Sequence, residues 1–167
     1  ETPYRPTLLF DGVDDIALGS SADGPGNARL DAGEVYVILG GSGLAGTIDL
    51  ASTEPEMTVL GTDFGDEAGK ELATGDVNDD GVADLLIGSD DGAGPSNDRP
   101  AAGELYVVFG RQHLASTVDT SRGDQDVTVF GADQGDDFGQ GIAAGDVNGD
   151  GADDLMASAD EAAGTGN

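Results

Sequence analysis

The sequence has no cysteine, one histidine and one lysine, Lys70. The missing cysteine excludes disulfides, thiolate metal sites and a cysteine nucleophile. It leaves export open, because a secreted fold can be held together by metal instead. A Ser/His/Asp or Cys/His catalytic constellation would rest on His113 alone, and its setting, "GRQHLAST", reads as a solvated turn after a strand. Basic residues number 6 against 34 acidic ones, for a formal charge of -28. Such a chain has too few Lys and Arg to neutralise phosphates, which excludes nucleic acid as a partner and an anionic membrane surface with it. No apolar run approaches a membrane span, and no signal peptide is recognisable. A start at Glu1 rather than Met is what a processed or excised piece would show.

The acid excess is mostly Asp, the usual hard-oxygen ligand for Ca²⁺. That reading suits the acidic loops, while a surface built for high salt, which screens such charge, suits the scattered acids. Glycine is abundant at 29 residues and aromatics make up only 5 %. That composition suits short strands joined by tight turns and argues against long helices.

The chain repeats itself. "AGEVYVILGG" (32–41) returns as "AGELYVVFGR" (102–111), "GTIDL" (46–50) as "STVDT" (116–120), and "MTVLGTDFGDEAGKELATGDVN" (57–78) as "VTVFGADQGDDFGQGIAAGDVN" (127–148), all 70 residues later. "DGVDDIALGSSAD" (11–23) matches "DGVADLLIGSDDG" (80–92) at an offset of 69. The period divides the chain into an N-terminal segment (1–10), a first repeat (11–79), a second (80–149) and the start of a third (150–167). Within a repeat, "EVYVILG", "ELYVVFG", "MTVLG" and "DLLIGS" are apolar or β-branched runs of strand length ended by Gly. The expected fold is all-β, with propeller-like blades of about four short antiparallel strands and too few blades to close a ring in one chain.

One acidic segment occurs twice in full. In "DVNDDGVADLLIGS" the first, third, fifth and ninth residues are Asp76, Asn78, Asp80 and Asp84; in "DVNGDGADDLMASA" they are Asp146, Asn148, Asp150 and Asp154. Gly81 and Gly151 hold the sixth position, where a sharp turn is needed, and Val82 and Ala152 offer a backbone carbonyl at the seventh. Alternating oxygens on a tight loop aim at one point, and about five hard donors favour Ca²⁺ over Mg²⁺. An EF-hand would carry a bidentate Glu at the twelfth position, which here is Ile87 or Ala157. The plain alternative is that Asp, Asn and Gly simply make good turns. A degenerate copy keeps Asp11 and Asp15 at the fifth and ninth positions but has Thr7 and Leu9 at the first and third, which makes a weak site. Further ions are conceivable at Asp63, Asp66, Asp133 and Asp136.

These residues resemble a known family. "FGQGIAAGDVNGDGADDLMAS" (138–158) looks like the FG-GAP repeat of integrin-α-type β-propellers, of the bacterial or archaeal kind, and "GKELATGDVNDDGVADLLIGS" (69–89) matches it with Ala68 in place of the Phe. The resemblance implies blades of four antiparallel strands with Ca²⁺ held in a hairpin loop by the two ligand sets named above. It implies a non-catalytic module, extracellular or on the cell surface, that is structural or adhesive, or else a propeller attached to a secreted enzyme or glycan-binding protein. Two complete units would leave strand edges open, to be covered by further repeats of a longer surface protein, by a ring of copies in a homo-oligomer, or by stacking into a filament. The segment at 4–10 could add as a strand to a neighbouring copy. A protein or glycan ligand is a further expectation, with Tyr36 and Tyr106, at the same phase, read as strand packing or as a sugar platform.

Overall fold

A computed structural model of the chain describes residues 12–21 and 28–160. Ten strands run in order: β1 (Ile16–Ser20), β2 (Glu34–Ile38), β3 (Met57–Leu60), β4 (Glu71–Gly75), β5 (Asp84–Ser89), β6 (Glu104–Val108), β7 (Thr117–Asp119), β8 (Val127–Phe130), β9 (Ile142–Gly145) and β10 (Asp154–Ala157). The only helical element among the described residues is a single 3-10 turn, Thr120–Arg122. The architecture of the described residues is all-β, with four-stranded sheets and no closed barrel among them, as expected for partial propeller-like blades.

The middle sheet shows the complete unit. Its order is β4-β5-β6-β8 and every pairing is antiparallel. The expected apolar runs form β5, β6 and β8; β4, "ELATG", is no apolar run and becomes a strand because it pairs with β5 from Glu71↔Gly88 to Gly75↔Asp84. The preceding sheet, β1-β2-β3, is extended by β7, which runs parallel to β3. The third unit is the hairpin β9–β10, which repeats β4–β5. The sheet unit therefore runs from 71 to 130, while a period counted from Asp80 divides the chain inside the β4–β5 loop.

Burial follows from stacking. Side chains alternate across a strand, so a sheet with one covered face buries every second residue. β2 does this: Val35 and Val37 are buried and their neighbours are half-buried. β5 and β6 are instead buried throughout. Leu85, Ile87, Tyr106 and Val108 pack against Val35, Val37, Met57 and Val59 of the first sheet. Leu86, Leu105 and Val107 pack against Ile142, Ala144 and Leu155 of the hairpin. Each fully covered large side chain is worth about 1.5–3 kcal/mol, so stability concentrates in the doubly covered sheet. Ile16 and Leu18, the counterparts of Leu85 and Ile87, are exposed because no sheet among the described residues covers that side.

The stack is also tied through backbone. Ala68 N–H, just ahead of β4, donates to Ala32 O, just ahead of β2, at 2.9 Å. Seventy residues on, Phe138 N–H donates to Ala102 O at 3.1 Å. Ala68 thus holds the same backbone slot as Phe138, and its departure from the "FG" pattern leaves the inter-unit contact intact.

Candidate metal loops and the acidic surface

The two full acidic loops join β4 to β5 and β9 to β10. A hairpin connection of this kind must turn sharply, and the backbone does so at Gly81 (φ 87) and Gly151 (φ 104). The side chains then fold back on the loop in the same way twice. Asp76 Oδ1 accepts from Asp80 N–H at 3.0 Å and its Oδ2 from Gly81 N–H at 2.8 Å. Asn78 Oδ1 accepts from Asp80 N–H at 2.9 Å, and Asp80 Oδ1 from Val82 N–H at 2.9 Å. Asp146, Asn148 and Asp150 repeat these bonds to Asp150, Gly151 and Ala152 at 2.8–3.1 Å. The ninth residue closes the loop from the strand side: Asp84 Oδ2 accepts from Val77 N–H and Asp154 Oδ2 from Val147 N–H.

Asp84 has a second duty. Its Oδ1 accepts from Gly110 N–H at 3.0 Å, which pins the loop to the end of β6. Burial pushes its carboxyl up to about 6; the bonds from Gly110 and Val77 oppose this, and the charges of Asp80 and Asp76 add to it. A buried carboxylate beside two others is the environment a divalent cation relieves. In the degenerate copy, Asp15 Oδ1 accepts from Gly40 N–H at 3.0 Å, the counterpart of the Asp84–Gly110 bond. Asp15 therefore does the structural half of the ninth residue's work. Asp11 and the 4–10 segment lie outside the described residues.

Neighbouring loops touch. Asp153 Oδ2 accepts from Asp76 N–H at 2.9 Å, and Asp153 N–H donates to Asp76 O at 2.9 Å. The second loop thus holds the first residue of the first loop, a coupling that spacing along the chain could not reveal.

The tightest carboxylate group among the described residues lies elsewhere. Glu67, Asp90 and Asp91 place one oxygen each within 4.8 Å of one another and could hold a metal ion. The loop carboxylates are not drawn in that closely and instead accept from loop N–H groups. Lys70 Nζ already stands at the Glu67 cluster, 3.2 Å from Glu67, 3.0 Å from Asp90 and 3.7 Å from Asp91. Its bond to Asp90 raises its own basicity, so it remains a fixed cation there. The sequence signal was the pairing of the only lysine with "GSDDG" across a hairpin, visible only once β4 and β5 are placed side by side.

Asp66 is a second buried acid, 3 % exposed. Burial raises its carboxyl to about 6, with the charge of Glu104 adding to the effect. An acid raised in the fold binds a proton between about pH 6 and its unfolded value near 4, where the unfolded chain does not. Folding is therefore favoured as pH falls through that window and penalised above it. We expect Asp66→Asn to raise stability at pH 7 by about 1–2 kcal/mol, allowing for solvent screening, and to leave it unchanged at pH 4. Chelator-treated samples melted at both pH values check this, and equal shifts at the two would refute it.

Tyr106 is packed in the core, and its hydroxyl bonds Glu104 and, at 2.8 Å, Thr62. It serves as strand packing and offers no ring face for a sugar. His113 is exposed on the connection between β6 and β7. No helix among the described residues is long and apolar enough to cross a membrane.

Stacked four-stranded sheets with acidic hairpin loops define a repeat-built β-protein of the propeller-blade class. Residues 68–108 match the family model of the FG-GAP repeat, and the chain carries that repeat. It is similar to phosphatidylinositol-glycan-specific phospholipase D of Dictyostelium discoideum, 30% identical over 118 residues covering 70% of this chain and 12% of that protein. It is also similar to the protein of the same name from Rattus norvegicus, 32% identical over 163 residues covering 95% of this chain and 18% of that protein. The chain thus spans less than a fifth of the length of either relative.

Proposed function

We propose that this chain is a calcium-stabilised, non-catalytic structural module of an extracellular or cell-surface protein. The observation that carries this reading is the loop pair: the same ligand-type residues at the same spacing, held by the same bonds, at the same hairpin of two successive units. Asp76, Asn78, Asp80 and Asp84 would hold one ion with the Val82 carbonyl, and Asp146, Asn148, Asp150 and Asp154 the other with that of Ala152. Ca²⁺ supplies charge: it offsets the like charges of each loop and ties the hairpin together. Two ions leave the chain at about -24 from -28, so most of the acidity stays on the surface.

The two relatives support a narrower version, in which the module is an accessory part of a larger enzyme such as one acting on glycosylated phosphatidylinositol. Asp76, Asp80, Asp146 and Asp150 are engaged by loop N–H groups, and the one histidine is exposed. Isothermal titration with Ca²⁺ tests the main reading. We expect two sites, with Asp80→Ala and Asp150→Ala each removing one. Absence of saturable binding in the unsubstituted chain would refute it.

A further inference from the structure

β7 leaves its own unit and docks on the unit before it. Thr58 N–H donates to Ser116 O at 3.0 Å, and the Thr120 hydroxyl to Leu60 O at 2.8 Å. Val118 is buried in the core between the sheets. Asp119 Oδ1 accepts from Arg29 Nη1 at 2.9 Å. Burial works against the charged Asp119, yet the bonds from Ser121 and Arg29 outweigh it and hold its carboxyl below the usual range. Arg29 also donates to the carbonyls of Gly61 and Thr62 at the end of β3.

The receiving half of this contact recurs on β8. Thr128 and Phe130 stand where Thr58 and Leu60 do, 70 residues on, and Arg99 stands for Arg29. Arg99 Nη1 donates to the carbonyls of Gly131 and Ala132, as Arg29 does to Gly61 and Thr62. The carboxylate partner is what differs: among the described residues Arg99 pairs only with Asp98, 3.9 Å from Nε, and its side chain is 30% exposed against 17% for Arg29. β8 ends its sheet, with Val127 and Phe130 38% and 40% exposed.

The donating half recurs too. Residues 47–49, "TID", hold the place of β7 in the first repeat. Asp49 Oδ1 accepts from Ala51 N–H at 3.0 Å, as Asp119 does from Ser121. Yet 47–49 form no strand, and Ile48 is 37% exposed where Val118 is 4%. The segment becomes a strand only where an outer edge meets it.

We infer that the outer edge of β8, with Arg99 beside it, is a docking site for an extended segment reading Thr, β-branched residue, Asp, added in parallel with its Asp on Arg99. The occupant is that segment of a further repeat of this kind. Shared register favours this source: a second copy of the chain would bring its own β1, the counterpart of β10, into the place β10 already fills. The site does not depend on calcium, so failure of either reading leaves the other standing.

The probe is a synthetic peptide of residues 116–122, "STVDTSR", titrated at millimolar concentration into the isotope-labelled full chain. Saturable NMR shifts are expected at 127–132 and Arg99, with exchange of the Thr128 amide slowed about tenfold. Arg99→Glu should abolish the shifts, and a peptide carrying Asp119→Arg should restore them. Because Arg99→Glu could disturb folding, a peptide with Asp119→Lys added to the unaltered chain is a second arm, expected not to bind. Shifts elsewhere, no saturation, or equal binding of the Lys peptide would overturn the site. Concentration-dependent dimerisation of the chain alone, lost in Arg99→Glu, would make a second copy the occupant and overturn the assignment to a further repeat.

Discussion

If the two loops hold Ca²⁺ as proposed, excess chelator is expected to lower the melting temperature by about 10–20 °C from its value in saturating Ca²⁺. Each ion that binds only the folded state adds about 2.7 kcal/mol at one hundred times its Kd, so two sites contribute roughly 5 kcal/mol. For a chain of this size each kcal/mol moves the midpoint by about 2–4 °C. On that proposal, loss of an ion would expose the fold to repulsion among the loop carboxylates. Asp84 is fully buried beside Asp76 and Asp80 and also anchors Gly110. The damage spreads between units through the Asp153–Asp76 pair of bonds. Calorimetry with and without chelator measures the shift. Superimposable melting curves would remove calcium from the account and leave the loops as turns.

Gly103→Ala costs about 2–5 kcal/mol, the sum of left-handed backbone strain and overpacking. Gly103 has φ 84, and an added Cβ would lie 2.0 Å from Phe138 O and 2.4 Å from Phe138 N. The contact is backbone on backbone, so no side chain can swing aside. Gly33 makes the same approach to Ala68 in the preceding unit. Gly135→Ala is the control: its φ is 75, but its Cβ would meet nothing within 4 Å, so only the conformational cost of about 1–2 kcal/mol remains. Urea unfolding separates the two. Equal losses would show that the close approach at Gly103 carries no weight.

The strands of the repeat were legible as β-branched and apolar runs between glycines, which is how β2, β3, β5, β6 and β8 declare themselves. β4 was not, because "ELATG" owes its extended form to β5 and has no apolar run of its own. "STVDT" and "GTIDL" read alike, yet one is a strand and the other is not; an edge must be present to pair with, and that edge belongs to a different unit. The loop residues were legible as a spacing, since four oxygens at alternating positions have a meaning independent of the rest of the chain. The second role of Asp84, the Asp153 clamp and the seating of Lys70 among Glu67, Asp90 and Asp91 were not, because each joins residues distant in sequence.

By itself, then, the sequence determined the period, the all-β character and the two sets of candidate ligands, because each is written in local composition and spacing. Only the tertiary structure decided where a unit begins, which strand crosses to its neighbour, and that the middle sheet is covered on both faces. Those depend on how one unit lies against the next, and a pattern of 70 residues repeated faithfully looks the same whether its copies touch or not.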